Sequence, residues 1–271
     1  MPLSTALTAT TGWALNDLSG TFQTIMTTGL YLYGIFPQPG PATDDLVGLD
    51  KQPVRSHVMS DFTILYSEAQ KPKYLTSRRN LLSHERVLEA AMAAGHRTLL
   101  PLQFGLVIPT WDAVKDDLVE PYQDSLNSLL HKLDGQREVS IKIMWDQAAE
   151  LERMMAQNPN LKAERDRLQG KQLNMEEVIQ IGQAIETAMG EWCDRIINDF
   201  QSTLGQLAVE VAENDTLTAD MIYNAAYLIP WEAEAQFSAA IEALDATYDD
   251  RLRIRYNNFT APFNFAQLER N

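Results

Sequence analysis

The stretch Val139-Ser140-Ile141-Lys142-Ile143-Met144-Trp145 carries a clear period-two pattern. Val139, Ile141 and Ile143 share one face, and Ser140, Lys142 and Met144 share the other. This predicts a strand with one face more polar than its opposite. Downstream, a helical stretch with Leu151, Met154 and Met155 runs to a break at Asn158-Pro159-Asn160. A second helix is expected behind Asn174, which with Glu177 three positions on forms a capping-box variant. Its apolar stripe is Val178, Ile181, Ile185, Met189, Trp192, Ile196, Phe200 and Leu204, in steps of three and four. At about 1.5 Å per residue this helix would be about 45 Å long, enough to reach beyond a compact domain. Strands are expected near Leu207–Val211 and Met221–Ile229. A helix follows Pro230 with Phe237, Ile241, Leu244 and Tyr248 inward. In a closing strand Leu252, Ile254 and Tyr256 alternate against Arg251, Arg253 and Arg255.

Upstream, Tyr31–Phe36 reads as a strand that stops at the turn-rich Pro37, Pro39, Gly40 and Pro41. Two further strands are expected at Val54–Met59 and Phe62–Tyr66. A helix from Ser77 to Ala94 would turn Leu82, Val87, Leu88, Ala91 and Met92 inward and stop at Gly95. Thr98–Ile108 reads as one bent strand, because Pro101 and Gly105 interrupt its apolar run. The next helix carries Val114, Leu118, Tyr122, Leu126, Leu130 and Leu133, and Pro121 should kink it or cut it short.

The second half therefore runs strand, helices, strand, strand, helix, strand. The first half has a related order with its first crossover replaced by the Pro-rich loop. That is the split βαβ, ferredoxin-like pattern met twice, the first time in altered form. The expected class is α+β, with an N-terminal extension at 1–28, a modified ferredoxin-like domain at 29–136, and an α+β domain with long helices at 137–271. In the extension, Leu15, Leu18, Phe22 and Ile25 fall at helical spacing, read as a short helix packing on its own domain.

Composition narrows the function. The chain has 271 residues, 45% of them hydrophobic, with 22 Lys and Arg against 37 Asp and Glu, a net charge of −15. It can bury a core, but its field repels phosphate backbones and anionic lipid, so neither nucleic acid nor membrane is expected as a partner. No secretory leader or spanning segment is evident, which points to the cytosol. The single cysteine, Cys193, excludes an internal disulfide and a thiolate cluster, and reads as a half-buried core thiol.

No constellation of reactive groups emerges. There is no phosphate loop, dinucleotide fingerprint or nucleophile elbow. His84-Glu85-Arg86-Val87-Leu88 lacks the second histidine that a helical zinc site needs, so His84 is read as a surface or cap residue. His57, His96 and His131 are read as solvated or hydrogen-bonded loop residues. The pairs Asp44-Asp45, Asp116-Asp117 and Asp249-Asp250 are read as solvated faces or caps, since neighbours point apart. Asp112, Asp116, Asp117 and Glu120 suit a helix start, where the dipole favours negative charge. Met144, Met154, Met155 and Met175 read as core filler. No catalytic, cofactor-binding or metal-binding residue is assigned, and a non-enzymatic protein is expected.

Several stretches together resemble the gas vesicle protein F/L family (GvpF/GvpL). They are Leu30-Tyr31-Leu32-Tyr33-Gly34-Ile35, His84-Glu85-Arg86-Val87-Leu88-Glu89, the strand Val139–Trp145, and Leu252-Arg253-Ile254-Arg255-Tyr256. The most recognisable is Leu100-Pro101-Leu102-Gln103-Phe104-Gly105, similar to the family's leucine-proline-leucine-arginine-phenylalanine-glycine. Gln103 stands where the family has arginine, and Leu106 where it has a small polar residue. The family motif residues Leu100–Gly105, Arg253 and Tyr256 are expected to be structural. The resemblance implies an accessory or structural protein that binds the small hydrophobic shell protein and other gas vesicle accessory proteins. It would support building of the vesicle in the cytoplasm, without a cofactor. The rival reading is a small-molecule-binding or sensing module on tandem ferredoxin-like domains.

Overall fold

The computed structural model describes residues 29–168, 175–249 and 251–267. The expected helix at Leu15–Ile25 and the cap Asn174 lie outside them, as does Asp250. In chain order the first half comprises β1 (Gly29–Pro37), β2 (Arg55–Met59), β3 (Phe62–Ala69), α1 (Arg78–Ala93), β4 (Leu100–Pro101), β5 (Val107–Ile108), α2 (Trp111–Val114) and α3 (Gln123–Leu133). The second comprises β6 (Gln136–Met144), α4 (Gln147–Gln157), α5 (Pro159–Leu168), α6 (Met175–Leu204), β7 (Glu210–Glu213), β8 (Met221–Pro230), α7 (Glu234–Thr247) and β9 (Arg253–Thr260).

Both sheets are antiparallel. The first runs β2-β3-β1-β4, with β5 also on β1, and the second runs β7-β8-β6-β9. Each places its first strand centrally between its third and its last, which is the ferredoxin-like order. The class is α+β. In the second half the first crossover is α4 to α6. In the first half it is an irregular loop through Leu49, which joins β1 to β2.

The layers follow from which side chains meet. Tyr31, Tyr33 and Phe36 of β1 pack with Leu65, Val87, Leu88, Ala91 and Met92, so α1 covers one face of the first sheet. Leu32, Ile35 and Ile64 on its other face pack with Leu126, Leu130 and Leu133 of α3, and so do Ala226 and Leu228 of β8. Thus α3 is shared between the sheets. Beyond the second sheet, Val139, Ile141, Ile143, Tyr227 and Ile229 meet Trp192, Ile196, Phe200, Phe237 and Ile241. A sheet covered on both faces reads as a continuous apolar run, and β8 is buried from Met221 through Ile229. The face carrying Ser140 and Lys142 is the one turned toward α3, and Met144 is buried.

Local chemistry explains the boundaries. The Ser77 hydroxyl accepts from the Asn80 N–H at 3.3 Å and starts α1, and Gly95, at φ 103°, follows its end. Asp146 accepts from Ala148 and Ala149 N–H at 3.0 and 3.1 Å and starts α4. At Pro121, which lacks an N–H, the helix is broken. A π turn at Lys115–Val119 and a 3₁₀ turn at Glu120–Tyr122 separate α2 from α3.

Several expectations are corrected. Leu82 is 39% exposed, because it lies across α1 from the buried line His84, Val87, Leu88, Ala91 and Met92. The expected strand at Leu207–Val211 is partly a 3₁₀ turn, Gly205–Leu207, that extends α6. The strand starts only at Glu210, opposite Leu228, just after the Val209 N–H donates to the Leu228 carbonyl at 2.8 Å. Thr98–Ile108 is two short strands flanking a loop. His57 sits on β2, stacked 3.6 Å from the Trp111 ring, and His131 is on α3, so neither is in a loop. Met175, expected as core filler, is the first residue of α6 and is 76% exposed.

Candidate functional site

The Leu100–Gly105 stretch crosses the edge of β1. Leu100 and Pro101 pair with Ile35 and Gly34, and Val107 and Ile108 pair with Tyr31 and Leu30. Between them the loop keeps two backbone bonds to β1. Leu102 N–H donates to the Tyr33 carbonyl at 2.9 Å, and Leu32 N–H donates to the Leu106 carbonyl at 3.1 Å. Here β1 has a bulge between Leu32 and Gly34, which puts Tyr33 and Gly34 on the same side, toward α1. Gly105 turns the loop at φ 90°, where a side chain would be strained.

A buried chain of hydrogen bonds holds this loop from below. His84, 1% exposed, has Nε2 3.1 Å from the Leu102 carbonyl, which can only accept, so Nε2 carries the proton. Nδ1 is then an acceptor, and the Tyr31 hydroxyl donates to it at 3.0 Å. The Tyr31 oxygen in turn accepts from the Gly105 N–H at 3.1 Å. Burial pushes the imidazole down to about 4, although its bond to the Leu102 carbonyl opposes the shift. Burial also pushes the Tyr31 phenol well above its usual range. At neutral pH the His84 and Tyr31 side chains are uncharged, and their bonds hold the loop. A parallel device sits beside it. The Tyr33 hydroxyl bonds Ser67 Oγ at 2.9 Å and accepts the Leu49 N–H at 2.9 Å, which fastens the loop before β2.

His84 is therefore a buried core residue and not a surface or cap residue. Both ring nitrogens are satisfied, so a neutral imidazole can occupy an apolar stripe. The spacing 84, 87, 88, 91, 92 was the available signal, since it places His84 on the inward line of α1.

The motif residues separate into distinct environments. Leu100 and Leu102 are buried, Phe104 is half-buried against His84, and Gln103 is exposed. An open groove of about 840 Å³ lies over the loop, with Phe104, Leu106, Leu118 and Phe263 in its walls. Arg253 and Tyr256 are elsewhere, on β9. Arg253 is exposed, and Tyr256 stacks on Phe237 at 6.0 Å and donates to Glu234 at 3.2 Å.

The segment after β9 returns to the loop. Ala261 and Phe263 join the layer under α1, while Phe265 enters the layer shared with α3. Glu138, 3% exposed, anchors it by accepting from the Asn264 N–H at 2.9 Å and its side-chain amide at 2.7 Å. Burial pushes this carboxyl up to about 7, against the two bonds from Asn264. A second buried carboxylate, Glu150, accepts from Trp192 Nε1 at 2.8 Å and pairs with Arg251. Neither glutamate is marked by a sequence motif, and their roles depend on partners 126 and 42 positions away.

Among the described residues no group of three or more His, Cys, Asp or Glu could hold a metal ion. Nor is any described helix long and apolar enough to cross a membrane.

Two ferredoxin-like sheets sharing one helical layer, with a packed loop along the edge of β1, define an α+β protein. The chain belongs to the family of gas vesicle synthesis proteins GvpL/GvpF, whose model matches residues 29–267. It is 57% identical over 243 residues to gas vesicle protein F of Nostoc sp. (strain PCC 7120), covering 90% of this chain and 100% of that one. The same identity, length and coverage hold for gas vesicle protein F of Microcystis aeruginosa (strain PCC 7806). The crystal structure of GvpF from Anabaena sp. PCC7120 matches with a TM-score of 0.79 at 54% identity, covering 89% of this chain and 97% of that one. That of GvpF from Microcystis aeruginosa matches with a TM-score of 0.78 at 57% identity, covering 89% and 100%. The chain is thus a gas vesicle-associated protein.

Proposed function

We propose that the chain acts without catalysis, as an accessory or structural component that binds the small hydrophobic shell protein and supports vesicle assembly in the cytoplasm. Other gas vesicle accessory proteins are its further partners. Residues 29–136 and 137–271 serve as two domains behind the extension 1–28, and the motif residues Leu100–Gly105, Arg253 and Tyr256 are structural. The observation that carries this reading is the state of the Leu100–Gly105 loop. Its buried histidine and tyrosine are neutral at physiological pH and engaged with each other and with the backbone of Leu102 and Gly105, and the loop presents Phe104 and Leu106, beside the exposed Gln103, to an open groove.

Calorimetric titration with the shell protein, run beside a panel of metabolites, tests it. Saturable binding of shell protein, with none of the metabolites, is the expected result. Binding of a metabolite without binding of shell protein would overturn the proposal in favour of a sensing module. In cells, deletion should abolish vesicles, and the intact chain should restore them.

A further inference from the structure

The chain carries −15 net charge, yet one open groove of about 710 Å³ is bordered by basic side chains. It lies between the loop before β2 and the first turns of α1. Its walls include Val47 and Lys51 from the loop, and Arg78, Arg79, Leu82 and Arg86 from the helix.

All four cations are exposed, and among the described residues none has a carboxylate within ion-pairing distance. Some cations elsewhere are paired, although others, such as Lys73, Lys162 and Arg255, are not, among the described residues. Arg55, Lys71, Lys115, Lys132, Arg153, Arg165 and Arg251 each meet an acidic partner. The arrangement is also unfavourable for the free helix. The first turn of α1 has no acidic residue and two arginines, at the end where the peptide dipoles already present positive charge. A negative partner would turn that repulsion into attraction.

The apolar members distinguish the occupant. Val47 is 54% exposed and Leu82 39%, side by side with the cations. Free phosphate has no use for two aliphatic side chains. A membrane surface or nucleic acid would set an extended array of negative charge against the whole like-charged molecule, whereas a short acidic segment need meet only the groove. A protein segment carrying both carboxylates and an apolar side chain can satisfy both parts.

We propose that this groove docks an acidic amphipathic segment of a partner protein, its carboxylates held by Lys51, Arg78, Arg79 and Arg86 while an aliphatic side chain rests on Val47 and Leu82. Guanidinium groups suit this role, because their planar fork holds a carboxylate with two bonds. The inference is independent of shell-protein binding, since it rests on this surface alone.

The test is fluorescence anisotropy on the full chain. The probe is a labelled helical peptide with glutamates at i and i+4 flanking leucines. Its lysine counterpart, tripolyphosphate and phosphatidylglycerol vesicles serve as competitors. The acidic peptide should bind saturably and more weakly as salt rises. The double variant Arg79→Glu/Arg86→Glu should bind at least about tenfold more weakly, a loss of about 1.4 kcal/mol. The neutral variant Arg79→Gln/Arg86→Gln should fall between, and Leu82→Asp should also weaken binding. Thermal melts of the three variants, all altered at exposed positions, confirm that folding is kept.

The proposal is overturned if the acidic peptide does not bind, or if charge reversal leaves its affinity unchanged. It is overturned equally if tripolyphosphate or vesicles compete fully while Leu82→Asp has no effect. Self-association of the chain that disappears on charge reversal would assign the groove to a second copy instead.

Discussion

The two halves of the molecule share one sheet order and stabilise it by different means. In the second half the first crossover is helical. Among the described residues, α4, α5 and α6 satisfy their own backbone groups and reach the sheet largely through apolar side chains. In the first half the crossover is a loop, and β4 and β5 are interrupted by another. Loop backbone has no internal ladder, so buried polar side chains take over, with Tyr33 holding Leu49 and Tyr31 and His84 holding Gly105 and Leu102. Where loops replace helices here, hydroxyl and imidazole groups take the backbone bonds of the loop.

The comparison is tested most severely in the helical half. Trp192→Ala should destabilise by about 3–5 kcal/mol, since the ring is buried and its removal leaves a cavity. Trp192→Phe keeps most of the ring but withdraws the donor to Glu150, and should cost about 1–3 kcal/mol. Denaturant titration checks both.

In the loop half, Tyr31→Phe should cost about 1–3 kcal/mol, because it leaves the Gly105 N–H and His84 Nδ1 without their partner. Amide exchange at Gly105 should quicken more than exchange in β8. Equal acceleration in the two places would mean that the hydroxyl stabilises the whole molecule and does not specifically fasten the loop.

Two of the buried titratable groups, one in each half, oppose one another. His84 is depressed to about 4, so below its ordinary value near 6.5 the unfolded chain binds the extra proton. Its contribution is present above that value and is lost as pH falls toward 4. Glu138 is raised to about 7 from 4.5, so the folded chain holds the extra proton, and its contribution is lost as pH rises through that window. Between about pH 4.5 and 6.5 the wild type should show little net slope from this pair, since each group contributes at most about 1.4 kcal/mol per pH unit. His84→Gln should leave a stability that falls with rising pH, and Glu138→Gln one that rises. Parallel slopes in the two variants would refute the pairing. At the small end, Met175→Ser on the exposed end of α6 should change stability by less than about 0.5 kcal/mol.

Much of this architecture was legible from side-chain period. The alternation at Val139–Trp145 and the stripe to Leu204 located β6 and α6, and Pro121 announced the broken helix before α3. The loop at Leu102–Leu106 was only half legible. Pro101 and Gly105 signalled an interruption, but the number of strands they leave depends on which β1 groups stand opposite. His84 escaped because a polar residue on an apolar stripe is read as exposed until its partners are known, and those partners are 53 and 18 positions away.

Sequence alone determined the α+β class, the order of elements and the family resemblance, because these follow from local periodicity and short motifs. Tertiary structure alone decided that α3 is shared by both sheets and that the segment after β9 folds back onto Glu138. It also decided that four unpaired cations border one groove. The physical reason is that burial and electrostatics depend on distances through space, and chain spacing does not encode them until the sheets are packed.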